Sequence, residues 1–319
     1  MITITENSSN LTTEQVQIFD QGADCIVIDQ HHSAALWHTH APDSDSSKIG
    51  TVGDCKLSGN HSPELFLLAC AEILHNDHDC NQVIGPMNGN TWLKHRLVIE
   101  SNGRTPFLME PIEPDFYKDA FENAGFEQLS TYCSHLVDLT LPQRDTSLLL
   151  NKFKTRGITI RSVSKENFEQ DLIAIFQLSL LSFSNNYLYT PISQESFIGK
   201  YLESREMIDP ELVLMAESDG ELVAYIFCIP DHTATKIGQK PAIIIKTLAS
   251  NGDKSLAGIG TLLVLIAQSR AKKKGYTEAI HALQHEDNSS TKISIRCDGI
   301  KFRRYALMSK LFQATVQVR

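Results

Sequence analysis

The sequence lacks a long apolar run. Its longest candidate, Leu262-Leu263-Val264-Leu265-Ile266-Ala267, falls far short of the roughly 20 residues that a membrane-crossing helix needs. Met1 to Leu11 is polar, without a basic-then-apolar leader pattern, so a cytoplasmic setting and no membrane partner are expected. Cysteine pairing is missing too. The seven cysteines stand at positions 25, 55, 70, 80, 133, 228 and 297, an odd number with no C-x-x-C pair, which points to free thiols in a reducing compartment. No low-complexity tract or short solenoid repeat occurs. No dense basic stripe with interleaved aromatics marks a nucleic-acid track. His31-His32, His38-Thr39-His40 and His75-Asn76-Asp77-His78-Asp79-Cys80 are rich in possible ligands. No second pair with structural-zinc spacing follows them, and no metal site is expected.

What is present is a chain of 319 residues with 42% hydrophobic and 21% charged residues, enough for two packed cores. Charge divides unevenly along it. Residues 1–150 carry 7 Lys and Arg against 21 Asp and Glu, and residues 151–319 carry 22 against 17. The net charges of −14 and +5 suggest two domains, and Leu141-Pro142-Gln143-Arg144-Asp145 is the natural boundary. We therefore expect domains at 1–145 and 146–319. The acidic first half suits a cationic partner, and an acidic solvated face accounts for it as well.

Local patterns place the elements. Cys25 to Ile28, Ser33 to Trp37 and Lys48 to Lys56 read as strands. Ser62-Pro63-Glu64-Leu65 opens a helix with a Ser cap and Pro in the first turn. Gln82 to Ile84 is a short strand, Asp115 to Ala124 a helix, and Phe126 to Leu139 a strand. In the second half, Ile158 to Arg161 alternates as a strand, and Ser164 begins a helix. Glu211 to Glu217 and Glu221 to Ile229 flank the hairpin turn Ser218-Asp219-Gly220. Pro241 to Ala249 is an apolar strand, followed by a loop and a helix that runs to Lys274. Ala279 to Leu283 is a strand, Asn288 or Ser289 caps another helix, and Arg304 to Val318 is a final strand. A helical crossover makes the strands around the Gly258 helix parallel neighbours.

The chemistry-bearing element is an apolar strand, Ile243-Ile244-Ile245-Lys246-Thr247-Leu248-Ala249, leading to Gly258-Ile259-Gly260-Thr261 at a helix start. A helix N-terminus offers unpaired N–H donors, and glycine lets a phosphate approach the backbone without a Cβ in the way. The turn is no Walker loop, because no Gly-Lys-Ser/Thr closes it. It is a poor Rossmann fingerprint, because the third glycine is missing. Alone, a Gly-x-Gly pair reads equally well as tight packing at a helix start.

The segment from Pro241 to Phe312 resembles the second half of the GCN5-related N-acetyltransferase (GNAT) family. The resemblance lies in the strand ending Lys246-Thr247-Leu248-Ala249, the turn Gly258-Ile259-Gly260, the helix Thr261 to Lys274 with Gly275-Tyr276, strand Ala279 to Leu283, Asn288, and Phe302-Arg303-Arg304-Tyr305-Ala306-Leu307. More weakly, Ile49-Gly50-Thr51-Val52-Gly53 and Ile84-Gly85-Pro86-Met87-Asn88 resemble the first half of tandem GNAT-like proteins. The resemblance implies an α/β (α+β) chain of two GNAT-like domains, each a mixed, mostly antiparallel sheet flanked by helices. The first would be degenerate, and the second would bind acyl-CoA. It implies acetyl-CoA or another acyl-CoA as co-substrate and direct attack by a primary amine. Thr247, Leu248 and Ala249 would hold the pantetheine arm. The N–H groups of Ala257, Gly258, Ile259, Gly260 and Thr261 would hold the pyrophosphate, and Asn288 would touch the arm or cap its helix.

Ser255 departs from the Gln or Arg of the family's Gln/Arg-x-x-Gly-x-Gly/Ala motif, and Lys254 is the expected substitute. His285 and Glu286 are candidate bases. Tyr305 is the candidate acid, although the family's tyrosine would fall nearer Ile295. Gly85 to Trp92 lines an acceptor pocket or packs as a turn. A non-catalytic acyl-CoA-binding protein and a Fem-type aminoacyl transferase are the competing functions.

Overall fold

The computed structural model describes residues 2–6, 11–42, 47–203, 205–234 and 238–312. The N-terminal half runs β1 (Thr3–Glu6), α1 (Thr13–Asp20), β2 (Cys25–Ile28), β3 (Ser33–Trp37), β4 (Ile49–Lys56), α2 (Pro63–Asn76), β5 (Gln82–Gly85), β6 (Leu97–Ser101), α3 (Phe116–Asn123) and β7 (Glu127–Asp138). After α4 (Ser147–Lys154) come β8 (Ile158–Ser162), α5 (Phe168–Phe183), α6 (Gln194–Glu203), β9 (Val213–Ser218), β10 (Glu221–Pro230), β11 (Ala242–Ser250), α7 (Ile259–Lys273), β12 (Glu278–His285), α8 (Ser289–Arg296) and β13 (Ile300–Leu311). The expected last strand holds as far as Leu311, and 313–318 lie outside the described residues.

Local chemistry explains several boundaries. A capping box opens α1: Thr12 Oγ1 accepts from the Gln15 N–H at 3.2 Å, and Gln15 Oε1 accepts from the Thr12 N–H at 2.9 Å. Asp219 and Gly220 take φ of 51° and 84°, the left-handed pair a two-residue hairpin demands between β9 and β10. Ser62 differs from expectation. It sits at φ 54° and makes no side-chain cap, so Pro63 alone sets the start of α2.

Among the described residues the strands form one sheet, ordered β1-β2-β3-β4-β5-β13-β7-β12-β11-β10-β9-β8, with β6 joined to β13 off this path. The β4–β5 and β11–β12 pairs are parallel, bridged by α2 and α7, and the other pairs described are antiparallel. The middle of the sheet is an exchange. β7 comes from the first half but lies between β12 and β13, while β13, from the second half, pairs with β5.

Helices cover both faces, which is why the central strands are apolar on alternate and adjacent residues alike. In the second half, α7 packs Leu262, Leu263 and Leu265 on Leu214, Ile226, Ile243 and Ile245. On the opposite face, α5 and α6 pack Phe176, Phe197 and Tyr201 on Met215, Tyr225 and Phe227. In the first half, α2 and α3 cover Val27, Leu36, Val52 and Val83, and Ala306 and Met308 of β13 complete that core.

Candidate active site

β11 and β12 pair from Ala242↔Glu278 to Ile245↔His281 and then separate, although β11 runs on to Ser250 and β12 to His285. Each departing strand is held by its outer neighbour. β11 follows β10, with an irregularity that leaves Lys246 unopposed between Ile245↔Cys228 and Thr247↔Phe227. β12 follows β7 through Gln284↔Cys133 and His285↔Tyr132, after a break in register between His281 and Gln284. Within that break Leu283 has φ 55°. The result is a wedge whose β11 wall carries half-buried Lys246, Thr247 and Leu248. Ala249, expected beside them, is buried in the core under α5 and α6.

The helix start lies at this wedge. Gly258 is the N-cap of α7 at φ 98°, with no side-chain cap, so the first N–H groups of the helix are left for another partner. The two glycines do different jobs. A Cβ on Gly258 would meet only Leu149, at 3.7 Å, so this glycine is required by its backbone. A Cβ on Gly260 would stand 3.1 Å from Ile293 Cδ1 and 3.3 Å from Leu248 Cδ2. The missing side chain keeps a slot open between β11 and α8. Ala257 and Gly258 are exposed, Thr261 is half-buried, and Ile259 is turned into the core.

An open groove of about 760 Å³ adjoins the turn, lined by Lys152, Arg156, Asp253, Lys254, Ser255 and Ala257 among others. Asp253 Oδ1 accepts from the Ser255 N–H at 2.7 Å and fixes the approach to the glycines. Lys152 donates to the Ala257 carbonyl at 2.8 Å, and Arg156 to the Ser255 carbonyl at 2.5 Å. Both cations thus stand beside the uncharged Ser255, an arrangement the motif alone does not reveal.

The expected catalytic residues fare less well. Tyr305 is fully enclosed. Its hydroxyl donates to Glu110 and lies 3.0 Å from Ser134 Oγ, while burial and then the Glu110 charge push its pKa far up. It is a core residue of mid-sheet β13 and not an acid open to a substrate. Glu286 is an ion-pair acceptor. Burial opposes its charge, but hydrogen bonds from Arg304 and Lys301 outweigh that and pull it down to about 2, too acidic for a base near neutral pH. His285 stands at the end of β12 with its ring edge-on to Tyr132 at 5.1 Å. Its Nδ1 accepts from the Asp287 N–H at 3.3 Å, so the nitrogen left without a proton in the neutral ring is already engaged. Asn288 caps α8, accepting from the Ser289 N–H at 3.0 Å.

The sequence does not announce Lys246 or Arg96, and it leaves Trp92 open between lining an acceptor pocket and packing as a turn. Lys246 Nζ donates to Tyr201 Oη at 2.9 Å, 4.5 Å from the centre of that ring. Trp92, from the first half, packs its ring near Phe183, Tyr189 and Phe197, and its N–H donates to the Thr190 carbonyl at 2.8 Å. Arg96, also from the first half, reaches the Leu283 carbonyl of β12 at 2.8 Å. A lysine in a strand and an arginine just before one carry no pattern that announces such roles.

The corresponding wedge of the first half is filled. β4 and β5 pair from Ile49↔Gln82 to Thr51↔Ile84. Beyond that point the Met87 N–H donates to the Val52 carbonyl at 2.8 Å, and Asn88 Oδ1 accepts from the Asp54 N–H at 2.9 Å. Any side chain on Gly53 would collide with Met87 and Asn88. Tyr117 closes the outer side by bridging Leu57 N–H and the Cys55 carbonyl, both at 2.9 Å.

This architecture is the GNAT fold, a sheet splayed at a parallel pair beside a helix start. Its arrangement across the whole chain is that of tandem GNAT proteins. The chain superposes on a GCN5-related N-acetyltransferase from Sphaerobacter thermophilus with a TM-score of 0.55 at 15% identity, over 97% of this chain and 88% of that one. It superposes on a tandem GNAT protein from the clavulanic acid biosynthesis pathway with a TM-score of 0.51 at 12% identity, over 99% and 100%. A GCN5-related N-acetyltransferase from Anabaena variabilis gives 0.50 at 9%, over 98% and 73%. No family model and no curated protein matches the sequence. Among the described residues no helix is long and apolar enough to cross a membrane.

Proposed function

We propose that the protein is an acyl-CoA-dependent N-acyltransferase that moves an acetyl or other acyl group to a primary amine. Residues 146–319 form the catalytic domain. Residues 1–145 form a GNAT-like unit without a coenzyme slot, because its wedge is filled by Met87 and Asn88. The observation that carries this reading is the splay of β11 from β12 beside an uncapped glycine helix start, with Gly260 keeping the slot between Leu248 and Ile293 open. Acyl-CoA fits that shape. The N–H groups at Gly258 to Thr261 take the pyrophosphate. Lys152, Arg156 and Lys254 add positive charge along the groove, and the free edge of Lys246 to Leu248 takes the pantetheine arm.

In the reaction the amine nitrogen bonds to the thioester carbon as the carbon–sulfur bond breaks, and the proton released by the amine ends on the thiol or in water. The amine enters from the α5–α6 face, where Tyr201, Trp92 and Lys246 stand. Cytoplasmic thiol conditions suit the unpaired cysteines, and no nucleic acid or membrane enters the scheme.

Thermal unfolding with and without acetyl-CoA tests the proposal. At a hundredfold excess over the dissociation constant the coenzyme adds about 2.7 kcal/mol. No shift in melting temperature at millimolar acetyl-CoA or CoA overturns the reading. The enclosure of Tyr305 and the pairing of Glu286 favour a second reading, a non-catalytic acyl-CoA-binding protein. Binding without thiol release across a panel of amines selects it.

A further inference from the structure

The splay of β12 depends on one residue in a conformation it does not favour. Leu283 has φ 55°, a left-handed backbone that crowds any residue with a Cβ. Both of its main-chain groups are taken by side chains of the first half. Its N–H donates to Ser134 Oγ of β7 at 3.0 Å, and its carbonyl accepts from Arg96 Nη1 at 2.8 Å.

Each contact is braced from behind. Ser134 is fully buried, its hydroxyl 3.0 Å from Tyr305 Oη, and Tyr305 in turn donates to Glu110, which is paired with Arg303. Arg96 is buried over the Tyr132 ring, 4.0 Å from its centre, and its second terminal nitrogen donates to His95 Nε2. The His95 Nδ1–H donates to the Leu93 carbonyl at 2.9 Å, which leaves Nε2 as the acceptor. Two chains of hydrogen bonds therefore converge on one peptide. That peptide lies where the register of β12 on β7 breaks, just beyond the last pair that β12 makes with β11.

We propose that Arg96 and Ser134 are positioning residues, which hold Leu283 in the left-handed state and so keep β12 parted from β11. The first half then serves the second by fixing the width of its wedge. This rests on the reading of that wedge as the acyl-CoA slot. An extended Leu283 breaks both contacts and lets β12 return to a regular ladder, so the residue is a two-state element biased by its two partners. Neither partner touches substrate.

The test uses Arg96→Met, Ser134→Ala and the double variant Arg96→Met/Leu283→Gly in the full chain, with CoA as probe. Each single variant is expected to weaken CoA binding at least tenfold and to speed hydrogen exchange at amide 283 without ligand. Glycine occupies the left-handed region without help. The double variant is therefore expected to regain affinity to within about threefold of the parent, while keeping the lower melting temperature caused by loss of buried Arg96. A purely structural role for Arg96 gives no such recovery. If Arg96→Met does not fold, Ser134→Ala and Ser134→Ala/Leu283→Gly carry the same comparison. Unchanged CoA affinity in the folded single variants, or no recovery with glycine, overturns the proposal. If the parent protein does not bind CoA at all, the acyl-CoA reading fails by itself. Exchange at amide 283 then still decides the positioning role: faster in the single variants supports it, and unchanged overturns it.

Discussion

His281 sits at the apex of the wedge, the last residue of β12 opposite β11, and is buried among polar partners. Its Nε2 accepts from Gln268 at 3.0 Å, its Nδ1–H reaches Ser294 Oγ at 2.8 Å, and Ser294 donates to Gln284 at 2.9 Å. Burial, and then the neighbouring His135, push His281 down to about 3 from 6.5. The unfolded imidazole takes up a proton near pH 6.5 and the folded one only near 3. The unfolded state therefore binds more protons throughout that window, and stability falls as pH drops through it. At pH 5 this group alone removes about 2 kcal/mol. A His281→Gln variant is expected to be less stable at pH 8 yet to show a shallower fall between pH 6.5 and 5, read as urea midpoints. An equally steep fall assigns the pH dependence to another group. Tyr305 carries a lesson at the same scale. The expected role as an acid at the site does not hold, because enclosure depends on β13 lying mid-sheet, which no local pattern records.

Along single elements the sequence was legible wherever turn chemistry and periodicity agreed. Asp219-Gly220 marked its hairpin, and Gly258 marked the start of α7. α6 was not foreseen, because Gln-Glu-Ser-Phe-Ile-Gly-Lys-Tyr-Leu-Glu has few apolar residues and a glycine at 199. β6 was missed because its five residues pair only with distant β13. At the turn itself, the two glycines make opposite predictions. Gly258→Ala forces a Cβ into a left-handed residue and is expected to cost about 1 kcal/mol or more of stability. Gly260→Ala is expected to cost less, since Ile293 and Leu248 yield at their methyl ends, while narrowing the slot and weakening CoA binding severalfold. Gly260→Val, with two further carbons, is expected to abolish binding. Melting temperature without ligand and CoA affinity, measured on each variant, separate the two effects. Unchanged affinity in a folded Gly260→Val protein places the ligand elsewhere.

For the whole molecule the decisive feature is the exchange of β7 and β13. The charge boundary near residue 145 divides the chain, but the sheet passes through it without interruption. Residues 146–319 alone leave β12 without β7, and residues 1–145 alone leave β5 without β13. Unpaired central strands are apolar edges that aggregate. Expressed separately, each half is expected to be insoluble or unfolded. Co-expressed, the two are expected to assemble and regain CoA binding, read by co-purification and calorimetry. A soluble, folded 146–319 fragment that binds CoA with full affinity contradicts this. Non-local pairing of this kind was not legible, since periodicity reports which face a residue lies on and not which strand lies beside it.

The same exchange sets an order in time during synthesis. Gln82 and its partner Ser309 are 227 residues apart in the chain, with their side chains joined at 2.9 Å. At elongation rates of about 5 to 20 residues per second, the ribosome takes roughly 10 to 45 seconds to travel that distance. Throughout that interval the nascent first half carries Val83 and Ile84 on an open rim that β13 later covers. The first half is thus unfinished until the last described strand emerges, and its exposure to chaperones and proteases is governed by translation speed downstream of it.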